Sequence, residues 1–216
     1  IKDGFSELIA KITSFGTGEA KMQEEYVLVQ TLERTIERAG ADLGKKANLV
    51  VKGIDAKAVS SGPRRAMKEI LMQLVRNAVY HGIEEPAFRL AKGKPELGSV
   101  SVSIELSDDK IVMQVSDDGR GLDFDAIREK ARAMNLLSDP SDFEDKNALT
   151  QVLFAPGFST AKKADMYAGR GIGLNLVKDR VKEMRGTIKL QSEDGKGTVF
   201  KVTIPAEAAM STPVTA

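Results

Sequence analysis

Val100-Ser101-Val102-Ser103-Ile104-Glu105-Leu106 alternates apolar with polar residues, turns at Ser107-Asp108-Asp109-Lys110, alternates again through Ile111-Val112-Met113-Gln114-Val115, and runs into Asp117-Asp118-Gly119-Arg120-Gly121. A period of two puts every second side chain on one face, so this stretch predicts an antiparallel hairpin with one buried face. Upstream, Leu49-Val50-Val51 predicts a short strand, and Gly62-Pro63 opens a helix running to Gly82, since proline suits a first helical turn. Downstream, helical patterns at about 124–135 and 145–153 precede a glycine-rich irregular stretch, a helix over about 172–185, and two strands split at Asp194-Gly195-Lys196-Gly197. Together these predict an α+β fold, a two-layer sandwich in which helices cover one face of a mixed, mostly antiparallel sheet. Residues 1–45 are expected to form a helical arm or linker, broken near Gly16-Thr17-Gly18, whose apolar stripe is Val27, Leu28, Leu32, Ile36 and Ala39. That stripe suits packing on the next domain or on a partner helix. Residues 46–206 are expected to hold a single core, and residues 207–216 a disordered polar tail.

The 32 lysines and arginines of the 216 residues nearly balance 31 aspartates and glutamates, a net charge of +1, so neither nucleic acid nor an anionic membrane is expected as partner. The absence of cysteine excludes disulfides, thiolate metal sites and cysteine nucleophiles, and is compatible with a cytoplasmic location. No apolar run approaches the roughly 18 residues needed to span a bilayer. A chain starting at Ile1 is expected to be a fragment or processed product, with flanking domains missing.

Chemistry-bearing residues fall in five places. On the helix Met67 to His81, Met67, Ile70, Leu71, Leu74, Val75 and Ala78 fill one arc, and Gln73, Asn77 and His81 border it at i, i+4 and i+8. Such a polar stripe is either the edge of a ligand site or a solvated face. Asp117, at a strand end, can accept a hydrogen bond from an adenine amino group, and Gly119 and Gly121 let backbone approach a ligand closely, although an ordinary turn accounts for them equally well. Gly169-Arg170-Gly171-Ile172-Gly173 opens a helix, where free N–H groups offer a site for phosphate oxygens and Arg170 adds charge. The spacing is neither the dinucleotide-binding G-x-G-x-x-G nor a Walker A sequence. Phe154-Ala155-Pro156-Gly157-Phe158-Ser159-Thr160, with Lys162 and Lys163, has the make-up of a lid that closes over phosphates, with a plain packed loop as the other reading of its phenylalanines. Thr198, after Gly195-Lys196-Gly197, can reach a base or its bridging water, while a turn explains the glycines.

With these elements in this order, the chain resembles the GHKL (Bergerat-fold) ATPases, which include gyrase-type topoisomerases, MutL proteins, the ninety-kilodalton heat-shock chaperones and histidine kinases. Within that group it is most similar to the CheA-type chemotaxis kinases, through Leu74-Val75-Arg76-Asn77-Ala78, His81-Gly82-Ile83-Glu84-Glu85-Pro86, Arg89-Leu90-Ala91-Lys92-Gly93-Lys94-Pro95 and Phe154 to Thr160. The resemblance covers about residues 40 to 205. It implies ATP and Mg²⁺ as cofactors, with Asn77 holding the magnesium that bridges the phosphates and Asp117 recognising the adenine amino group. It implies that His81 contacts nucleotide, that Gly119 and Gly121 shape the adenine pocket, and that Gly169, Arg170, Gly171 and Gly173 serve the phosphates. Thr198 would hold the base-side water, and Ser159 and Lys162 would belong to the lid.

Four residues before the magnesium asparagine, gyrase-like members carry a glutamate and chemotaxis kinases a histidine; here the residue is Gln73. An amide is no general base, and losing one costs about 10²–10⁴-fold where proton abstraction limits the rate. This argues against an efficient water-activating ATPase, and less against a kinase, because an acceptor imidazole is itself a nucleophile that Gln73 can orient. His81 is the only histidine in the chain, so the phosphoryl acceptor is expected elsewhere; the resemblance to CheA-type kinases implies that it lies on a separate histidine phosphotransfer domain, which passes the group to a response regulator. The expected function is the ATP-binding catalytic domain of a CheA-like histidine kinase. The alternative is an ATP-sensing scaffold of the same fold with weak or no activity. An ATP-driven clamp fits less well, lacking the glutamate and a transducer domain. A homodimer through the N-terminal arm is compatible with its apolar stripe.

Overall fold

The computed structural model describes residues 19–55, 58, 63–158 and 173–206. Its strands are β1 (Ala47–Ile54), β2 (Gly98–Ser107), β3 (Lys110–Asp117), β4 (Thr187–Glu193) and β5 (Gly197–Pro205). The α-helices are α1 (Glu19–Leu43), α2 (Arg64–Asn77), α3 (Pro86–Ala91), α4 (Phe124–Ala133), α5 (Lys146–Val152) and α6 (Leu174–Glu183). The strands form one sheet in the order β1-β2-β3-β5-β4; β1 pairs with β2 in parallel and the other three pairs are antiparallel. The expected mixed, mostly antiparallel sheet is thus present. Its central hairpin turns through Asp108 and Asp109, both at positive φ (47° and 58°), a two-residue turn whose twist matches that of the strands.

Alternation along the strands sets the layers. Val100, Val102 and Ile104 of β2, Met113 and Val115 of β3, and Phe200 and Val202 of β5 are all buried and share one face, against which α1, α2 and α6 contribute to a single apolar cluster. The intervening residues Ser101, Ser103, Gln114, Ser116 and Lys201 give the opposite face a polar surface. In α1, Leu28, Leu32, Ile36 and Ala39 are buried in that cluster, whereas Val27 is 47% exposed. Val27 does not belong to the stripe because one residue turns the helix by about 100°, away from the Leu28 row. Residues 1–18, including the expected break at Gly16-Thr17-Gly18, and 207–216 lie outside the described residues.

A smaller cluster, Ile127, Ala131, Leu149 and Val152, joins α4 to α5, and Leu122 and Leu153 pack against both clusters. Phe154 is already buried in the main cluster, and Phe158 packs on the smaller one, so the packed-loop reading holds for Phe154.

Helix α2 ends differently from its expected course to Gly82. Its last turn, Ala78–Gly82, is a π-helix, closed by the Ile83 amide donating to Ala78 O at 2.8 Å. The wider i→i+5 turn rotates the residues after Asn77 relative to a straight α-helix. The expected line of Gln73, Asn77 and His81 is therefore broken: Gln73 is buried, Asn77 half-buried and His81 exposed. Lys45 Nζ donates to Val79 O at 2.9 Å and Tyr80 O at 2.7 Å, serving carbonyls at a helix end that have no next turn to bind them. Lys45→Met is expected to cost about 2 kcal/mol of stability through loss of these bonds, read as a lower urea midpoint at unchanged m-value.

Candidate functional site

The strand registers align Leu49, Val100, Asp117, Thr198 and Ser192 in one row across all five strands, next to the row of Val51, Val102, Val115, Phe200 and Leu190. Cross-strand partners share a face, so the helix-covered face, apolar over most of its length, becomes polar at this end through Asp117, Thr198 and Ser192. Thr198 is 6% exposed. Sequence motifs do not single out Ser192, although its two-residue spacing from Ile188 and Leu190 marks it as facing the helices.

Asp117 is held tightly. Its Oδ1 accepts from the Gly119 amide at 2.9 Å, and the carboxyl lies against Gly82, where an added Cβ would come within 2.6 Å of Oδ1. A Cβ on Gly119 would fall 2.2 Å from the Gly82 backbone, and one on Gly121, at φ 77°, 2.4 Å from Glu193 O. The close approach these glycines allow is to the protein's own backbone, and it joins the end of β3 to the π-turn of α2. The Arg120 amide donates to Gly82 O at 2.9 Å and the Gly195 amide to Arg120 O at 2.8 Å, closing the loop on both sides.

Burial pushes the Asp117 carboxyl up to about 6; the Gly119 and Thr198 amides oppose the rise, and the neighbouring charges of Asp118 and Glu84 add to it. Asp118, by contrast, is anchored by cations. Its Oδ2 accepts from Arg89 Nη2 at 2.9 Å and its Oδ1 from the Ser99 amide at 2.9 Å. Arg89 is fully buried and also donates to Glu84 Oε2 at 3.2 Å and Pro95 O at 2.7 Å. Lys94 Nζ donates to Glu84 Oε1 at 3.1 Å, Asp118 O at 2.9 Å and Gly119 O at 2.7 Å. Burial alone would raise the Glu84 carboxyl, but Lys94, its own backbone amide and Arg89 hold it below its ordinary value. Glu84, Arg89, Lys94 and Asp118 fasten α3 and the segment after it to the loop that carries Asp117. In the sequence, Glu84, Arg89 and Lys94 stand only as parts of a matching pattern; their long-range pairing is not visible there.

On the helix side, Gln73 Nε2 donates to Asn77 Oδ1 at 3.2 Å, which leaves that oxygen a second lone pair. A cleft of about 340 Å³ separates α2 from α6, with Gln73 and Arg76 on one wall and Leu176 and Val177 on the other. It brings the start of α6 alongside the last turns of α2. Gly173 begins α6 with no side-chain cap bond among the described residues, and its carbonyl takes the Leu176 amide at 3.1 Å and the Val177 amide at 3.4 Å. Ser159, Lys162, Gly169, Arg170 and Gly171 lie outside the described residues. Among the described residues no group of three or more His, Cys, Asp or Glu can hold a metal ion, and no helix is long and apolar enough to cross a membrane.

A folded-state value near 6 against 3.8 for a free carboxyl means that Asp117 stabilises the fold fully only below about pH 4, and that this contribution is lost as pH rises through 6. Ionised Asp117 then costs about 3 kcal/mol. Asp117→Asn is therefore expected to be more stable than wild type by up to about 3 kcal/mol at pH 8, with the gap closing towards pH 4 in urea titrations.

Relatives match over most of this chain and a minor part of their own length. The chemotaxis protein CheA of Halobacterium salinarum is 35% identical over 188 residues, 85% of this chain and 27% of that protein. CheA of Klebsiella aerogenes is 37% identical over 190 residues, 88% of this chain and 28% of that protein. The sensor histidine kinase CheAY of Helicobacter pylori is 34% identical over 197 residues, 89% of this chain and 24% of that protein. The chain thus spans about a quarter of the length of these relatives. Residues 62–208 match the histidine kinase-, DNA gyrase B-, and HSP90-like ATPase family, a stretch that holds Asn77, Asp117, the start of α6 and Thr198, and the chain belongs to that family.

Proposed function

We propose that this chain is the ATP-binding catalytic domain of a CheA-like histidine kinase, transferring the γ-phosphoryl group of ATP to a histidine on a separate phosphotransfer domain and, through it, to a response regulator. The observation that carries the reading is the half-buried Asp117 carboxyl, beside Thr198 at the polar end of the helix-covered face and pressed against Gly82, five residues beyond Asn77. An ionised carboxylate held by backbone amides can accept from an adenine amino group, and the apolar rows behind it suit a purine ring. The uncapped start of α6 suits the phosphates.

Asn77 fits Mg²⁺. That ion is commonly held by one or two protein oxygens plus phosphates and water, and Asn77 Oδ1 keeps a lone pair turned by the Gln73 amide. When bound, Mg²⁺ neutralises phosphate charge and orients the γ-phosphoryl group. Gln73, with its amide NH₂ committed to Asn77, retains Oε1 to accept a hydrogen bond from an incoming imidazole, so a histidine acceptor needs no base from this residue. Gly169, Arg170, Gly171 and Gly173 are assigned to the phosphates, Ser159 and Lys162 to the lid, and the exposed His81 to the outer edge of the nucleotide. The reaction is placed in the cytoplasm, and the solvent-facing Tyr26 and Val27 of α1 are where a second copy would pack. The uncharged Gln73 also supports a second reading, an ATP-sensing scaffold without chemistry.

Asn77→Ala is expected to lose at least about tenfold in Mg-ATP affinity by calorimetry, and undiminished binding would refute the magnesium assignment. In the same preparations, γ-labelled ATP is expected to label histidine on a panel of CheA-type phosphotransfer domains. ATP binding that labels none of them would favour the scaffold.

A further inference from the structure

Ser192 ends the polar row, and its hydrogen bonds can be assigned by counting protons. Its Oγ lies 2.9 Å from the Leu122 amide nitrogen, 3.0 Å from Gly197 O and 3.3 Å from Thr198 Oγ1. A serine hydroxyl has one proton and two lone pairs. The Leu122 amide can only donate and Gly197 O can only accept, so the proton goes to Gly197 and one lone pair to Leu122. What remains for Thr198 is the second lone pair, and the threonine hydroxyl must donate into it. The Thr198 proton is thereby engaged, and only its lone pairs are left for a ligand.

We propose that Ser192 is a positioning residue for base selection: by taking the Thr198 proton it makes Thr198 an acceptor, so that the row offers two neighbouring acceptors, the Asp117 carboxylate and Thr198 Oγ1, to a purine. This rests on the nucleotide-site reading above. An amino-bearing ring edge, directly or through a bound water, supplies protons to both. A ring with a carbonyl in place of that amino group sets lone pairs against lone pairs at that position, its N1 proton lying one ring atom away, and leaving buried polar groups unpaired is how a site rejects an analogue. Ser192 acts only through Thr198, and Leu122 ties its oxygen to the loop after Gly121.

The test is calorimetric titration of ATP and of ITP, which carries a carbonyl where ATP carries the amino group, into the wild-type chain and into Ser192→Ala, Ser192→Thr, Thr198→Val and Asp117→Asn, with Mg²⁺ present. The ATP:ITP affinity ratio is expected to fall about fivefold to tenfold in Ser192→Ala and to be kept in Ser192→Thr, which retains the hydroxyl. A merely structural role would weaken both nucleotides together and leave the ratio unmoved. Thr198→Val leaves Ser192 its bonds to Leu122 and Gly197, is expected to lower the ratio by a similar factor, and decides the matter if Ser192→Ala does not fold. An unchanged ratio in either folded variant overturns the proposal. If wild type distinguishes the nucleotides and Asp117→Asn does not, while the Ser192 and Thr198 variants still do, the role of Ser192 alone is overturned. If wild type binds neither nucleotide, or both alike, the nucleotide-site reading falls, and this proposal with it.

Discussion

A carboxylate at the end of an apolar face is costly, and the architecture of this domain is organised around keeping Asp117 there. Burial disfavours its charge, and among the described residues no cation is a source of relief for it. Its compensation comes from backbone amides of Gly119 and Thr198. The cations are placed one residue further on. Arg89 and Lys94 bind Asp118 and the carbonyls of the turn, so they fix the loop without neutralising the Asp117 carboxyl. A lysine or arginine directly on Asp117 would relieve the burial cost of its charge and occupy its lone pairs.

Backbone packing makes this placement possible. Gly82 and Gly119 meet with no room for a methyl group between them, and Gly197, at φ 115°, passes so close to Asp117 O that a Cβ would lie 1.9 Å away. Three segments far apart in sequence, the end of the π-turn, the loop after β3 and the start of β5, therefore converge on one carboxyl. The π-turn is the joint in this arrangement. It lets α2 keep Gln73 and Asn77 on the core side while delivering Gly82 to the sheet, with Lys45 serving carbonyls of the loosened end.

Much of this is legible in the sequence where local periodicity carries the signal. The Val100 to Val115 alternation predicts the central hairpin, and the strand β1, the helices α2, α4, α5 and α6 and the final hairpin all lie close to their expected positions. Asp117 and Thr198 stand out in their motifs, and the registers make them direct neighbours. What periodicity cannot carry is long-range or irregular. The π-turn has no simple sequence signature, and it displaces His81 from a line drawn on straight α-helical geometry. Arg89 stands in the sequence only as part of a matching pattern, and its full burial depends on pairing with Glu84 and with Asp118 on a loop 29 residues away. Ser192 reads as one polar residue in a strand; only pairing with Thr198 reveals which hydroxyl donates.

The division of apolar packing into two clusters bears on how the molecule comes apart. Ile127, Ala131, Leu149 and Val152 bury one another and share no fully buried member with the sheet core, to which they connect through Leu122 and Leu153. A cluster of four side chains is a small cooperative unit, so α4 and α5 can open together while the five strands stay paired. The amide hydrogens of these two helices then exchange with solvent through a low-energy local event, and those of β2, β3 and β5 only through global unfolding. Among the described residues, the order of α4 and α5 is thus less dependent on the rest of the fold than that of the central strands.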